Sequence, residues 1–347
     1  MKREGVKMGY DRIRLKLGKV PADVLREVVF SSLGVEREEV ILGPSLGEDG
    51  ALVRIGDRVL VSSVDPITGA VERIGWLAVN INANDVATFG VRPIFFSSCI
   101  LLPEDSPLKT LRIICQQIDS AAKRLGIAVI GGHSEITPDL KNPIVIGCAM
   151  GVTDFGRYVT SGGSGEGDIL ILTKGAGIEG TAILASERRK RLIQKFGEEL
   201  VRSAESFYMQ ISVVDDAVTA FEAGGVTAMH DPTEGGIAGG IHEMADAAGL
   251  GVEIIEERIP IAPETLKICE YFQIDPLQLI SSGALLISVK PEYADKVLAA
   301  LSNKGIKTSI IGKFVNDPER RIIIHRDGST ADLVRPVSDH LWIALTR

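Results

Sequence analysis

Apolar and polar residues alternate along LVRIGDRVLVSSVD (Leu52 to Asp65) around Gly56-Asp57, which predicts two antiparallel strands joined by a two-residue turn. The period then lengthens. From about Gly69 to Phe89 the apolar positions Ile74, Leu77, Ala78, Ile81, Val86 and Phe89 fit a helix, stopped by Gly90 and Pro93. Ile94 to Leu102 reads as a buried strand. Leu108 to Leu125 places Leu111, Ile114, Cys115, Ile118, Ala122 and Leu125 at helical spacing. Strands follow over IAVIGG, residues 127–132, and at about Ile144 to Val152.

Near residue 160 the pattern breaks. TSGGSGEGD (Thr160 to Asp168) is small, polar and glycine-rich between two apolar runs, and reads as a linker or long surface loop. The chain thus divides into residues 1–159 and 160–347, in keeping with about 150 residues per domain. The second part repeats the grammar of the first: a strand over DILILTK, a strand over ALLISV, a helix from Glu292 to Asn303 stopped by Lys304-Gly305, then a strand over IKTSIIG. Strand, helix and strand in each half predict two α/β or α+β units.

Composition narrows the chemistry. With 38 Lys and Arg against 46 Asp and Glu the formal charge is -8, which disfavours nucleic acid as a partner, since neutralising phosphates needs a basic face. The 37 glycines and 5% aromatics favour tight turns and close backbone approaches over base stacking. Cys99, Cys115, Cys148 and Cys269 form no CxxC pair and are expected to be buried thiols. No apolar run reaches the roughly 20 residues of a membrane span, and MKREGVKMGYDRIRLKLGKV has no signal-peptide core, so a cytoplasmic location is the default. The seven basic residues of that segment read as a solvated terminus or as an interaction arm.

Three acids stand out beside glycines or at element ends: Asp49 in Gly47-Glu48-Asp49-Gly50, Asp65 at the end of the hairpin, and Asp85 in VNINANDVATFG. Magnesium takes a few carboxylates together with substrate phosphates, and this set suits it; Asp49 and Asp65 are also ordinary turn residues. Asn80, Asn82, Asn84 and Asp85 crowd one apolar helix, where unpaired they would cost on the order of 1–3 kcal/mol each, so a ligand, a metal or a subunit contact must meet them. Gly131-Gly132-His133-Ser134-Glu135 is expected at the carboxyl end of a strand, a favoured ligand position, with His133 as a base, a phosphate contact or a plain loop residue. Asp231-Pro232-Thr233-Glu234-Gly235-Gly236 carries the signature of a helix start, with Asp231 as cap, and its glycines expose amide donors to an anion. Gly175 to Gly180 matches GxGxxG, but the basic stretch ERRKRLIQKF replaces the acid-ended second strand of a dinucleotide fold, so it reads as a close-approach loop.

Taken in order, GEDGALV, SSVDPI, NAND with FG and P, GGHSE, HDPTEGG, SSGALL and IGKF resemble the superfamily of aminoimidazole ribonucleotide (AIR) synthetase, thiamine-monophosphate kinase, selenophosphate synthetase and HypE. The likeness runs over most of the chain and is closest to HypE through MHDPTEGGIAGGIHEMADAAGLGVEI. It implies a PurM-like α/β (α+β) fold of two domains. The N-terminal mixed sheets of two copies would close a barrel, making a homodimer, and the C-terminal part would be an α+β sandwich. It further implies ATP and Mg2+ in a cleft, Asp49, Asp65 and Asp85 as metal ligands, and Asn82, Gly131, Gly132, Thr233, Gly235 and Gly236 about the nucleotide. His133, Glu135 and Asp231 become the catalytic candidates. The implied reaction phosphorylates an oxygen of a small molecule or of a partner protein. Alternatives are a non-catalytic nucleotide-binding dimer and an accessory factor in hydrogenase maturation.

Three positions depart from the pattern. The sequence ends Leu345-Thr346-Arg347 where HypE chains end in a cysteine; Gly132-His133-Ser134 replaces Gly-Asp-Thr, leaving Glu135 as a possible substitute ligand; and Ser282 stands where HypE proteins have the Glu that serves as base.

Overall fold

The computed structural model describes residues 14–15, 18–68 and 72–347, so the start of the helix expected from Gly69 and most of the basic N-terminal segment lie outside the described residues. The first half contains α1 (Ala22–Val24), β1 (Val40–Leu42), β2 (Ala51–Ile55), β3 (Arg58–Ile67), α2 (Ile74–Thr88), β4 (Pro93–Pro103), α3 (Leu108–Leu125), β5 (Ala128–Thr137) and β6 (Ile144–Asp154). Its six strands lie in the order β1-β2-β3-β6-β4-β5, antiparallel except for the β4–β5 pair. The hairpin forms as the alternation predicts: Ile55 faces Arg58 across Gly56-Asp57.

One face of this sheet is covered and the other is open. Val59, Val61, Phe96, Ile100, Val145 and Ala149 are buried, whereas Val64 and Phe95 on the same strands, and Val129 on β5, are exposed. The expected buried strand Ile94 to Leu102 is therefore buried on one side only. Glycine at 147 lets α2 lie directly on β6, because a Cβ there would meet Asn82 Nδ2 at 2.4 Å. Every residue of α2 is buried, which is why its polar positions follow no single stripe.

The second half contains β7 (Ile169–Thr173), α4 (Ile178–Glu187), α5 (Arg189–Phe196), α6 (Glu198–Glu205), α7 (Val214–Ala223), β8 (Val226–His230), α8 (Gly236–Ala248), β9 (Gly251–Ile255), α9 (Pro263–Phe272), β10 (Leu286–Val289), α10 (Ala294–Asn303), β11 (Thr308–Val315), β12 (Arg321–Ile324), β13 (Thr330–Asp332) and α11 (His340–Thr346). The strands form a seven-stranded sheet in the order β13-β12-β9-β11-β7-β10-β8, with β9 and β12 the parallel pair. The GxGxxG segment makes the close approach foreseen: a Cβ at Gly180 would overlap Leu279 at 2.4 Å, and one at Gly175 would meet Pro260 O at 2.6 Å.

Several expectations change. The stretch Thr160 to Asp168 is no free surface loop: Ser161, Ser164 and Asp168 are buried, and Glu48 accepts from the amides of Ser161 and Gly162 at 2.9 and 3.1 Å. Only Cys269 is buried; Cys115 is exposed, and Cys99 and Cys148 are half-buried. Register places both half-buried thiols on the open face of the first sheet, beside Ile146 and Val64 respectively. Among the described residues no helix is long and apolar enough to cross a membrane.

Candidate functional site

Asp65 lies near the end of the covered face of β3, one position before the buried Ile67 on that face, and α2 holds it in place. Asn82 Oδ1 accepts from the Asp65 amide at 2.8 Å while its Nδ2 donates to the Asp65 carbonyl at 3.2 Å, so the Asn82 side chain is committed to positioning that residue. One turn on, Asp85 accepts from Ser63 Oγ at 2.5 Å. The other two helix amides meet protein rather than ligand. Asn80 donates to Trp76 O within its own helix, and Asn84 reaches into the second half, donating to Ile211 O at 2.9 Å and accepting from Val213 N at 2.8 Å.

Asp49 and Asp231 complete the acid cluster. Burial, and then repulsion from Asp231, Asp65 and Asp49, raises Asp85 well above the usual carboxylate range. Asp231 is raised in the same way by burial and by Asp49 and Asp65, and Asp65 is pushed up to about 6, first by burial. Both Asp231 oxygens are buried without any hydrogen-bond partner. Four carboxylates in mutual repulsion, one of them wholly unpaired, fit a cation held jointly with phosphate oxygens. Among the described residues no three His, Cys, Asp or Glu side chains form a ready-made metal cage, so any cation here would need ligands from its substrate as well.

The compensating positive charge comes from a residue the sequence reading passed over, although it immediately precedes Asp231. His230 is 3% exposed and lies between two carboxylates, Nδ1 at 2.8 Å from Asp49 and Nε2 at 2.9 Å from Glu243. Burial opposes its protonation, but Asp49 and Glu243 raise it well above the ordinary imidazole value, so it is an imidazolium at neutral pH. Glu243 continues the chain to Lys19 at 3.0 Å; despite burial, Lys19 and His230 hold its carboxyl down at about 2.

The Asp231 to Gly236 segment is not the helix start its sequence suggests. The helix α8 begins at Gly236 behind Gly235, which has φ +88° in the left-handed region, and Asp231 caps nothing. The amides expected to be free are engaged: Gly235 N donates to Asp339 Oδ2 at 2.7 Å and Gly236 N to Thr233 O at 3.0 Å. Gly236 is required where it stands, since a Cβ would meet Leu279 O at 2.5 Å.

His133 and Glu135 are not brought into this cluster within one chain. They lie inside the edge strand β5 rather than after it, exposed, with His133 Nε2 3.0 Å from Glu135 Oε2. Asp65 pairs through Gly147 and Ser98 to Gly132, whereas His133 pairs through Cys99 and Ile146 to Pro66. Adjacent rows point to opposite faces, so His133 and Glu135 look out from the open face and Asp65 toward α2. Gly132 sits close against β4, its hypothetical Cβ 2.2 Å from Ser98 O, and Gly131 has open space around it.

A cavity of about 420 Å³ opens between the halves, lined by Asp65, Ile81, Glu179, Thr233, Ser282 and Trp342 among others. The sequence reading gave Glu179 no part, placing it inside the discounted GxGxxG stretch; it is buried, with its carboxyl pushed up to about 7.

Comparison with known proteins accords with this geometry. The model of the AIR synthase related protein N-terminal domain matches residues 47–153 and that of the C-terminal domain residues 165–325. A putative hydrogenase expression/formation protein of Methanocaldococcus jannaschii is 29% identical over 329 residues, 93% of this chain and 95% of that one. The carbamoyl dehydratase HypE of Rhizobium leguminosarum bv. viciae is 32% identical, covering 77% of this chain and 75% of its own length. Among solved structures, a HypE–HypF complex superposes with TM-score 0.74 at 21% identity, over 90% of this chain and 99% of that one. AaThiL complexed with AMPPCP and TMP does so with TM-score 0.73 at 20% identity, over 94% and 98%. The PurM-like fold is thereby established, and the two domain matches together with the relatives at 29 and 32% identity make the chain a member of the AIR synthase related family.

Proposed function

We propose that the chain is an ATP- and magnesium-dependent enzyme that activates an amide-like or acid oxygen, on a small molecule or a partner protein, by phosphorylation. The observation that carries this reading is the cluster of Asp49, Asp65, Asp85 and Asp231, of which Asp65 lines the interdomain cavity, with both Asp231 oxygens unpaired. Relatives support it: a HypE structure is described in complex with ATP, and AaThiL with the ATP analogue AMPPCP. The names carbamoyl dehydratase and HypE–HypF complex support a carbamoyl-type acceptor and a partner protein.

Magnesium, when bound, would neutralise charge on the transferring phosphoryl group. Asp65 and Asp85, with Asp49 and Asp231, would hold it, and Asn82 fixes the backbone from which Asp65 reaches it. His230 orients Asp49 while Glu243 holds the far side of the imidazolium. Thr233, Gly235 and Gly236 shape the loop beside the cluster. The open face of the first sheet, with exposed Val64 and Phe95, suits a second copy of the chain; in such a homodimer His133 and Glu135 would face the partner. The division at residue 160 fits the gap between the two family matches.

The test is calorimetric titration of Mg2+ and ATP, followed by ADP release in the presence of carbamoyl-type acceptors. Asp231→Asn and Asp65→Asn should each abolish turnover. Full turnover in both variants would refute the assigned site, and tight ATP binding without ADP release under any acceptor would favour the non-catalytic alternative. Light scattering tests the dimer.

A further inference from the structure

The wall that the second half contributes to the cleft carries three buried polar atoms that nothing so far explains. Glu179 on α4 is 3% exposed and Ser282 is fully buried. Glu179 Oε2, Ser282 Oγ and Trp342 Nε1 on α11 have no well-formed hydrogen bond, although Ser282 lies close enough to Glu179 to favour its ionised form, and all three residues line the cavity. Buried polar atoms are nearly always satisfied, so three orphans around one cavity call for a ligand that satisfies them together.

Their chemistry selects that ligand. The indole N–H only donates, the carboxylate only accepts, and the hydroxyl does either. The groups acting on Glu179 from neighbouring elements are Ser282, Asp339 before α11 and Glu234 in the loop before α8, with Tyr208 also facing it; none of these is cationic, and Lys19 elsewhere on the cavity wall is paired with Glu243 at 3.0 Å, so an anion beside Glu179 is unwelcome. Ile81, Ile183 and Leu341 supply the apolar part of the wall, with Lys19, Asp65, Thr233 and Glu234 also lining the cavity, and that apolar part suits a small neutral group. A primary carboxamide or carbamoyl group offers N–H donors to the carboxylate and a carbonyl to the indole.

We propose that Glu179 is the catalytic base of the acceptor site, taking a proton from the nitrogen of a carboxamide- or carbamoyl-type group that Ser282 and Trp342 orient. This rests on the phosphoryl-transfer reading above. In the step, the acceptor oxygen bonds to the γ-phosphorus of ATP and the bond from that phosphorus to the β–γ bridging oxygen breaks, its electron pair leaving with ADP. The N–H proton passes to Glu179 Oε2, and an O-phosphorylated imidate remains. Burial pushes Glu179 up to about 7, where a base is partly free at neutral pH and strong enough to accept the proton.

The experiment uses the full chain with its glutamate Cδ carbons labelled, NMR titration, and acetamide as the probe. One carboxyl signal, missing in Glu179→Gln, should titrate near pH 7 and move when acetamide is added. Acetamide affinity should rise at least threefold from pH 5.5 to 8.5 in the unmodified chain and stay flat in Glu179→Gln. Trp342→Phe should weaken it about tenfold, and carries the comparison with Ser282→Ala if Glu179→Gln does not fold. A Glu179 signal unmoved by acetamide, a pH dependence that persists in Glu179→Gln, or unchanged affinity in both Trp342→Phe and Ser282→Ala overturns the proposal. Calorimetry separates the two levels: ATP binding with an unmoved Glu179 refutes the acceptor site alone, and no ATP binding in the unmodified chain refutes the phosphoryl-transfer reading.

Discussion

Replacing Asp65 by Asn should make the ligand-free protein more stable and the enzyme inactive. Both backbone hydrogen bonds that fix residue 65 come from Asn82 and survive the change, so only the carboxylate charge is removed. Burial and the neighbouring acids raise Asp65 from 3.8 to about 6, roughly two units, or about 3 kcal/mol for a fully buried group. Asp65 is only half-buried, and solvent screening reduces the figure to about 1–2 kcal/mol. A folded-state value above the unfolded one means that the stabilisation belongs to the protonated form. It is full below pH 3.8 and is lost as pH rises through about 6. Asp65→Asn should therefore match the parent near pH 4 and exceed it by a few degrees in Tm above pH 7, measured by scanning calorimetry without nucleotide. With Mg2+ and ATP the order should reverse, because ligand binding stabilises only the chain that retains its ligand set. A variant less stable than the parent at pH 7.5, or one equally stabilised by Mg2+ and ATP, would refute the reasoning.

Two further substitutions probe the scaffold of the site. His230→Asn removes an imidazolium from between Asp49 and Glu243 and should cost about 3–5 kcal/mol in urea unfolding at pH 7. Because the His230 value is raised, its contribution is full below pH 6.5 and is lost as pH rises through the raised folded-state value, so the gap between variant and parent should narrow with rising pH; a gap that widens contradicts the assignment. Asn84→Ala leaves Ile211 O and Val213 N unpaired in a buried place and should cost about 2–4 kcal/mol, while a loss below 1 kcal/mol would show that the clamp between the halves is dispensable.

Local pattern carried much of the architecture. The alternation around Gly56-Asp57 and the apolar spacing of Leu108 to Leu125 depend on nearest neighbours and survive unchanged in the fold. Asp49, Asp65 and Asp85 were legible because each lies beside a glycine, at an element end or in a helix that disfavours it. Position relative to other elements was not legible. The Asp231-Pro232-Thr233-Glu234 capping signature loses to a tertiary acid, Asp339, which takes the Gly235 amide and leaves Asp231 to the cluster. Nothing in GGHSE reveals that it lies on an edge strand, and a register one residue different would have turned His133 toward Asp65. His230 and Glu179 escaped notice because their importance comes from partners far along the chain.

The burial of α2 on all sides has a dynamic consequence. Asn82 ties it to β3, and Trp76 Nε1 and Asn84 tie it to Tyr208 and to residues 211–213, so both halves share one element that neither can release alone. Backbone amides from Leu77 to Ala87 should then exchange with solvent only when the whole molecule unfolds, and the two halves should melt as one cooperative unit rather than in sequence.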